Sequence, residues 1–144
     1  MLENSTSRIE TELEVKAYLQ NLKYAIENGA RIVFQAVRIT DFDREIRYTN
    51  DYTMTALFPN EERIDVLKRE LISLRAENYI RTVRDIRFPD RPEMREFGKV
   101  YDGKDVYIKV RVEVLGIYGN ATTFVMSFHF AEREFAPEMF PYRK

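Results

Sequence analysis

Residues 94–112 read MREFGKVYDGKDVYIKVRV, and this stretch decides the fold. Asp102-Gly103 is a strong β-hairpin signal, because both turn positions must adopt a positive φ that Asp and Gly tolerate. Alternating apolar residues on either side predict two antiparallel strands. A further strand is predicted at residues 122–132, TTFVMSFHFAE, after a loop that holds Gly116, Gly119 and Asn120. The C-terminal third of the chain is therefore predicted to be an antiparallel sheet.

The first helix is predicted at residues 9–28. Ser7 and Glu10 fit a capping box at its start, and Gly29 is typical of a helix end. One apolar stripe recurs at helical spacing within it: Val15, Leu19, Leu22 and Ile26. A β-branched and apolar stretch follows, which predicts a strand at residues 31–38.

A second helix is predicted after Pro59 and Asn60, because Asn is a favourable cap. Its apolar face consists of Ile64, Leu67, Leu71 and Leu74, and a further helical turn is expected within AENYIRTV, residues 76–83. Residues 40–57 show no clear pattern beyond a loop with a short helix. The order of elements is then α-β-α-β-β-β, which predicts that residues 1–144 form one α+β domain with N-terminal helices packed on the sheet.

Composition excludes several classes of protein. The 144 residues are 44% hydrophobic and 33% charged, which argues against a disordered chain and against a membrane span. With no Cys and a single His, thiol nucleophiles and multi-histidine metal sites are excluded, and we expect neither a metal nor a cofactor. The polar N-terminus does not fit a signal peptide, so a cytoplasmic location is expected. The formal charge is −1, although residues 79–111 carry nine basic against six acidic side chains.

Side chains on a strand point alternately to the two faces of the sheet. Around residue 109 the even positions are apolar: Val106, Ile108, Val110 and Val112. In the last strand the even positions are also apolar: Phe124, Met126, Phe128 and Phe130. Both apolar rows are expected to face the helices. The remaining polar side chains would then share one open face: Tyr107, Lys109, Arg111, Ser127 and His129.

That set of side chains suits phosphodiester chemistry. Cleavage of RNA by its own 2′-hydroxyl needs a proton acceptor, a proton donor for the leaving 5′-oxygen, and cations for the charge on the phosphate. His titrates near neutral pH, Lys and Arg supply positive charge, and Tyr can donate a proton. The same pattern also fits a polar face without catalytic purpose, with His129 an ordinary surface residue and Lys109 and Arg111 solvated charges.

Several stretches of the C-terminal half resemble the motility quorum-sensing regulator (MqsR) family, toxins of bacterial type II toxin–antitoxin systems. They are LISLRAENYIRTV at residues 71–83, REFGKVYDGKDVYIKVRV at 95–112, and FVMSFHFAE at 124–132 followed by FPYRK. Their order and spacing agree with the family pattern from about Asn60 to Lys144, and more loosely from Glu14 onward. The resemblance implies a RelE-like fold and an mRNA interferase that acts on free mRNA or on the ribosome and is silenced by a cognate antitoxin.

The resemblance also implies site residues one at a time. Arg81, Tyr107, Lys109 and His129 would carry catalysis, with Arg81 standing where relatives often have Lys and His129 where some relatives have Lys. Arg95 stands where the best-known members have Gln and would help to hold the substrate; a one-residue slip would put Glu96 on the open face instead. Further candidates for substrate contact are Arg84, Arg111 and Ser127.

We therefore expect a metal-independent endoribonuclease toxin that leaves a 2′,3′-cyclic phosphate. His129 would exchange a proton with the RNA, Lys109 and Arg81 would hold the phosphate, and Tyr107 would act as donor. The expected partners are mRNA and an antitoxin protein, with no membrane, and the chain would be a monomer or a complex with the antitoxin. Two alternatives stay open: a non-catalytic module that binds RNA, a nucleotide or an acidic protein segment through the same face, and a structural subunit that uses this face as a dimer interface.

Overall fold

The computed structural model describes residues 5–115 and 120–144 of the chain. Six strands in these ranges form one open sheet: β1 (Ser5–Arg8), β2 (Arg31–Phe34), β3 (Tyr79–Asp85), β4 (Met94–Tyr101), β5 (Lys104–Leu115) and β6 (Asn120–Phe130). The strand order is β1-β3-β4-β5-β6-β2, and each neighbouring pair is antiparallel except β2 with β6. Three α-helices accompany the sheet: α1 (Glu12–Glu27), α2 (Asn50–Leu57) and α3 (Arg63–Ile72). The predicted mixed α+β class is confirmed.

The helices cover one face of the sheet, which we call the helix face. Val106, Ile108 and Val110 on β5 are fully buried there. They belong to one apolar cluster with residues of all three helices, among them Leu22, Met54 and Leu67. The opposite face, which carries Tyr107, Lys109 and Arg111, we call the polar face. The alternation along β5 thus sorts its side chains as the sequence predicted.

The turn between β4 and β5 fixes the register of the central hairpin. Asp102 and Gly103 have φ values of 51° and 74°, the left-handed conformation that a two-residue type I′ hairpin turn requires. The turn pairs Tyr101 with Lys104, and counting back along the ladder pairs Glu96 with Lys109. The hairpin signal in the sequence therefore determines which residue of β4 lies beside Lys109.

The N-terminal half differs from the sequence prediction at several boundaries. Residues 5–8 pair with β3, so α1 starts later and its capping box is Thr11 with Glu14 instead of Ser7 with Glu10. The strand after α1 ends at Phe34. The N-cap of α3 is Glu62, whose carboxylate accepts the N–H groups of Ile64 and Asp65.

The further helical turn expected within residues 76–83 is wrong. Only Ala76–Asn78 forms a 3₁₀ turn, and β3 begins at Tyr79. Ile80, Thr82 and Val83 are β-branched, and Thr82 and Val83 pair with both β1 and β4. Pairing on two sides therefore overrides the weak helical pattern.

The apolar row predicted for β6 is interrupted by a β-bulge. Lys109 pairs with Ser127, but the next residue of β5, Val110, pairs with Val125, so Met126 is the extra residue. Before the bulge the alternation is inverted: Val125 is fully buried in the core, and Phe124 shares the polar face with Arg111. The expectation that Phe124 and Met126 belong to the buried row is wrong, whereas Phe128 and Phe130 are buried as predicted.

Helix α2 stabilises this bulge along the edge of β6 that β2 leaves unpaired after Phe34. The Asn50 amide donates to the backbone oxygens of Gln35 (2.7 Å) and Met126 (3.0 Å), and its oxygen accepts the Phe128 N–H (2.9 Å). The Thr53 hydroxyl accepts the Phe130 N–H at 2.9 Å. These side chains replace the strand partner that β6 lacks beyond Phe34. None of the helices in the described ranges has the length and apolar character needed to cross a bilayer.

Candidate active site

The register of three strands brings the central candidates together on the polar face. Tyr107 is opposite His129, and Lys109 is opposite Ser127. On the other side Lys109 is opposite Glu96, which is itself opposite Arg81. The structure thus places the four candidate catalytic residues and Ser127 on adjoining positions of β3, β5 and β6, with Glu96 between them.

Glu96 links two of these residues. Its Oε1 accepts a hydrogen bond from Arg81 Nε at 2.6 Å, and its Oε2 accepts the hydroxyl of Tyr107. Glu96 is only 4% exposed. Burial raises the pKa of Tyr107 above its ordinary value, and the Glu96 carboxylate raises it further, so the phenol stays protonated at neutral pH.

Lys109 is a partly buried cation among other cations. Burial lowers its pKa below the ordinary value of 10.5; Glu96 opposes this shift, whereas Arg38, Arg81 and Arg44 add to it. Among the described residues no carboxylate lies within ion-pair distance of its Nζ. Lys109 is therefore an amine that gives up its proton more easily than an ordinary lysine, and it has hydrogen bonds left to offer a ligand.

His129 lies on the polar face but is not open to solvent. It is 6% exposed, and Arg44, the residue after the 3₁₀ turn Ile39–Asp43, contacts its ring. Its Nδ1 lies 2.9 Å from the Phe130 carbonyl oxygen, so Nδ1 carries the proton and donates it. Nε2 then accepts from Arg44 Nη1 at 3.4 Å. Burial lowers the pKa of His129, and Arg44 and Arg38 lower it further.

Two arginines that the sequence analysis did not single out complete this end of the site. Arg38 Nη1 donates to Ser127 Oγ at 3.2 Å, and Ser127 is 1% exposed. Arg44 pairs with Glu132 at 3.2 Å while it donates to His129. Both arginines flank residues 40–43, for which the sequence showed no pattern. Their spacing does not distinguish them from surface arginines, and only their contacts with Ser127 and His129 of β6 do so.

Two predicted contacts lie elsewhere. Arg95 pairs with Val110 and therefore lies on the helix face, where its Nη2 donates to Glu10 at 2.7 Å. The expectation that Arg95 faces the site is wrong, and Glu96 takes that position, as a one-residue slip required. Arg84 is exposed on the helix-face side of β3 and bonds to the Pro89 carbonyl oxygen at 3.3 Å, so it is not part of the site either.

Arg111 lies on the polar face as predicted but is engaged by its neighbours. Its guanidinium lies over the Phe124 ring, 4.7 Å from the ring centroid, and its Nε is 3.3 Å from Glu113 Oε1. The inverted alternation before the bulge supplies that aromatic partner. Arg111 is consequently half-buried and directed away from open solvent.

A cavity of about 440 Å³ opens beside this cluster. Arg81, Glu96 and Tyr107 line its polar side, and Ile9, Ile80 and Met139 line its apolar side. Within the described part of the chain, no three His, Asp or Glu side chains are close enough to bind a metal ion. The polar groups that line this opening are a guanidinium, a phenol and the two carboxylates of Glu96 and Glu138, which can bind and exchange protons with a polar ligand.

No protein-family model matches the chain, and neither do the curated proteins or the solved structures with which it was compared. The resemblance to the MqsR family therefore depends on the short motifs quoted above.

Proposed function

We propose that this chain is a metal-independent endoribonuclease with a RelE-like fold, an mRNA interferase of the MqsR type. One observation carries the proposal: Lys109, with its lowered pKa, lies among Arg38, Arg44 and Arg81, next to the protonated Tyr107. A cluster of cations around an amine of this kind suits a phosphodiester, because the cations offset the charge that develops on the phosphate.

The chemistry would proceed by attack of the 2′-oxygen on the adjacent phosphorus. The bond from phosphorus to the 5′-oxygen breaks, which leaves a 2′,3′-cyclic phosphate and a free 5′-hydroxyl. Lys109 in its neutral form takes the proton of the 2′-hydroxyl, and Tyr107 supplies a proton to the leaving oxygen. Arg81, Arg38 and Arg44 bind the phosphate, and Glu96 orients both Arg81 and Tyr107.

This assignment moves the proton transfer that the sequence suggested for His129 to Lys109. Both ring nitrogens of His129 already have partners, and its lowered pKa keeps the ring neutral. In the proposed mechanism His129 positions Arg44. The sequence prediction that His129 itself exchanges the proton becomes possible only when Arg44 leaves Nε2.

The decisive experiment is RNA cleavage by purified protein with and without ribosomes, in excess EDTA. Lys109→Met should reduce the cleavage rate by at least about 100-fold, the usual contribution of a general acid or base. Lys99→Met is a matched control, because Lys99 is a half-buried cation of the same sheet that bonds to Ser73 and lies near Glu70. Cleavage by Lys109→Met at the wild-type rate would refute the mechanism, and loss of all cleavage in EDTA would favour a metal nuclease.

The binding-module alternative is favoured by one observation: His129, Tyr107 and Glu96 are all hydrogen-bonded within the protein. If the wild-type protein cleaves no RNA under any of these conditions and its expression causes no growth arrest, the alternative is correct. An antitoxin partner is proposed from the resemblance alone and would be detected as a protein that co-purifies and restores growth.

A further inference from the structure

A second and larger cavity, of about 680 Å³, lies at the end of the sheet beside the β4–β5 turn. Four aromatic rings line it: Tyr48, Tyr52, Phe130 and Phe135. Tyr52 is 43% exposed, and its ring meets that of Phe130 at 66° with 6.3 Å between centroids. The two rings are not stacked on each other, so ring surface is left for a flat ligand. The volume is in the range of small-molecule sites.

The rim of this cavity is positively charged. Arg47, Lys104 and Arg133 contribute three cations, against the two carboxylates of Asp105 and Glu134. Arg47 pairs with Glu45 at 2.7 Å, and Asp105 accepts the Phe135 N–H at 2.8 Å. Within the described residues, Lys104 and Arg133 form no ion pair, and Lys104 Nζ lies 5.2 Å from the Phe130 ring centroid. An anionic and aromatic ligand would complement this lining.

The cavity adjoins the proposed active site along two segments of chain. Phe130 follows His129 directly, and Arg47 lies three residues after Arg44. The Arg44–Glu132 ion pair joins these segments between the two sites. A single strand that binds its scissile phosphate near Lys109 and Arg44 could therefore place a neighbouring nucleotide here.

We propose that this cavity binds the base of a nucleotide that flanks the cut in single-stranded RNA. The base stacks on Tyr52, and the adjoining phosphate meets Arg47, Lys104 or Arg133. Aromatic platforms beside cationic grooves bind single strands in this way, with little dependence on base identity. The inference rests on the proposed nuclease function and adds a subsite to it.

The test measures binding of a fluorescein-labelled, fully 2′-O-methylated single-stranded RNA, which lacks the attacking hydroxyl and so cannot be cut. Tyr52→Leu should raise its Kd about tenfold, in line with the loss of one stacked base. Tyr24→Leu is the matched control, since Tyr24 is a 69% exposed tyrosine on α1, and it should bind as the wild type does. An unchanged Kd for Tyr52→Leu, or no binding by the wild type, would overturn the subsite.

A second measurement needs no variant. Wild-type protein is photo-cross-linked to an RNA that contains 5-iodouridine, and the linked peptide is identified by mass spectrometry. Linkage to the peptide with Tyr48 and Tyr52 supports the subsite, and linkage confined to peptides outside the cavity contradicts it.

The two proposals fail in different ways. If the wild type binds the methylated RNA through Tyr52 but cuts no unmodified RNA, the cavity is a binding site and the nuclease function is wrong. If cleavage depends on Lys109 but Tyr52→Leu keeps the wild-type KM, the nuclease function stands and the subsite is wrong.

Discussion

Tyr107 and His129 are direct cross-strand partners, with ring centroids 5.4 Å apart, yet their hydrogen bonds run in opposite directions. The Tyr107 hydroxyl donates toward β4, to Glu96, whereas the imidazole donates to the Phe130 carbonyl oxygen and accepts from Arg44. The polar face therefore has two halves, one organised by a carboxylate and the other by arginines. A ligand phosphate would compete with Glu96 for Arg81 and with His129 for Arg44.

The first prediction concerns the titration of His129. Burial and the cations Arg44 and Arg38 lower its pKa below 6.5, so Arg44→Met should raise that pKa. Because His129 is the only histidine, its imidazole proton resonances can be followed by NMR without assignment. Arg47→Met is the control, as Arg47 pairs with Glu45 and should leave the titration unchanged. An unaltered pKa in Arg44→Met would show that the contact at Nε2 does not form in solution.

The second prediction follows from the sign of that shift. Below pH 6.5, the ordinary pKa of histidine, His129 of the unfolded chain binds a proton, whereas folded His129 does so only at a lower pH. Stability should therefore be lost as the pH falls from 6.5 through the folded pKa. His129→Gln should remove this component, whose slope cannot exceed about 1.4 kcal/mol per pH unit. Urea unfolding of both proteins at several pH values measures it. Parallel curves for the two proteins would contradict the assignment.

The third prediction concerns the stability cost of Lys109. Because its pKa is lowered, Lys109 binds its proton less tightly in the folded state than in the unfolded state. The resulting loss of folding stability grows as the pH falls below 10.5 and stays constant below the folded pKa. Lys109→Met should therefore be more stable than the wild type at neutral pH, and the difference should shrink as the pH approaches 10.5. Thermal unfolding of both proteins across this range is the measurement. A less stable variant at neutral pH would mean that the amine is compensated by a partner.

The fourth prediction concerns the bulge at Met126. Asn50→Ala removes the side-chain bonds to Gln35, Met126 and Phe128 and should cost about 3 kcal/mol, because buried backbone groups lose their partners. Hydrogen exchange at the Phe128 amide should accelerate. Asn21→Ala, at an exposed position of α1, is the control and should change stability by less than about 0.5 kcal/mol. Equal stability of the two variants would refute this role of Asn50.

The fifth prediction concerns the packing of Phe135 and Phe140, near the C-terminus, against Gly98 on the polar face. A Cβ at Gly98 would lie 2.6 Å from Phe135 Cε2 and 2.8 Å from Phe140 Cζ, so Gly98→Ala should cost about 1–3 kcal/mol by overpacking. Adding Phe135→Ala should recover part of this loss, because the half-buried Phe135 ring is one of the two obstacles. Strictly additive losses of stability in the double variant would show that the Phe135 ring does not pack against Gly98.

The parts of the fold that depend on local chemistry could be predicted from sequence. Asp102-Gly103 determined a turn, the turn determined the register, and alternation on β5 determined which side chains share a face. The parts that depend on distant partners could not. The bulge at Met126 is held by Asn50, far away in sequence, which bonds to Met126 and Phe128, and β3 is a strand because β1 and β4 flank it.

The same limit applies to the candidate site. Tyr107, Lys109 and His129 were found because they lie on adjoining strands with a regular pattern. Arg38 and Arg44 were missed because their approach to Ser127 and His129 depends on a 3₁₀ turn with no periodic signal. The choice between Arg95 and Glu96 was left open at one residue of register, although the Asp102-Gly103 turn settles it, because counting back from Tyr101 opposite Lys104 places Glu96 opposite Lys109.

The contacts of α2 with β6 have a consequence for assembly. Beyond Phe34 the amide hydrogens of Phe128 and Phe130 are capped by Asn50 and Thr53, so this border of the sheet does not offer them as free backbone donors to another molecule. Exposed borders are where chains recruit one another into aggregates or swapped assemblies. A protein that bound by adding a strand to the sheet at this border would be blocked by α2.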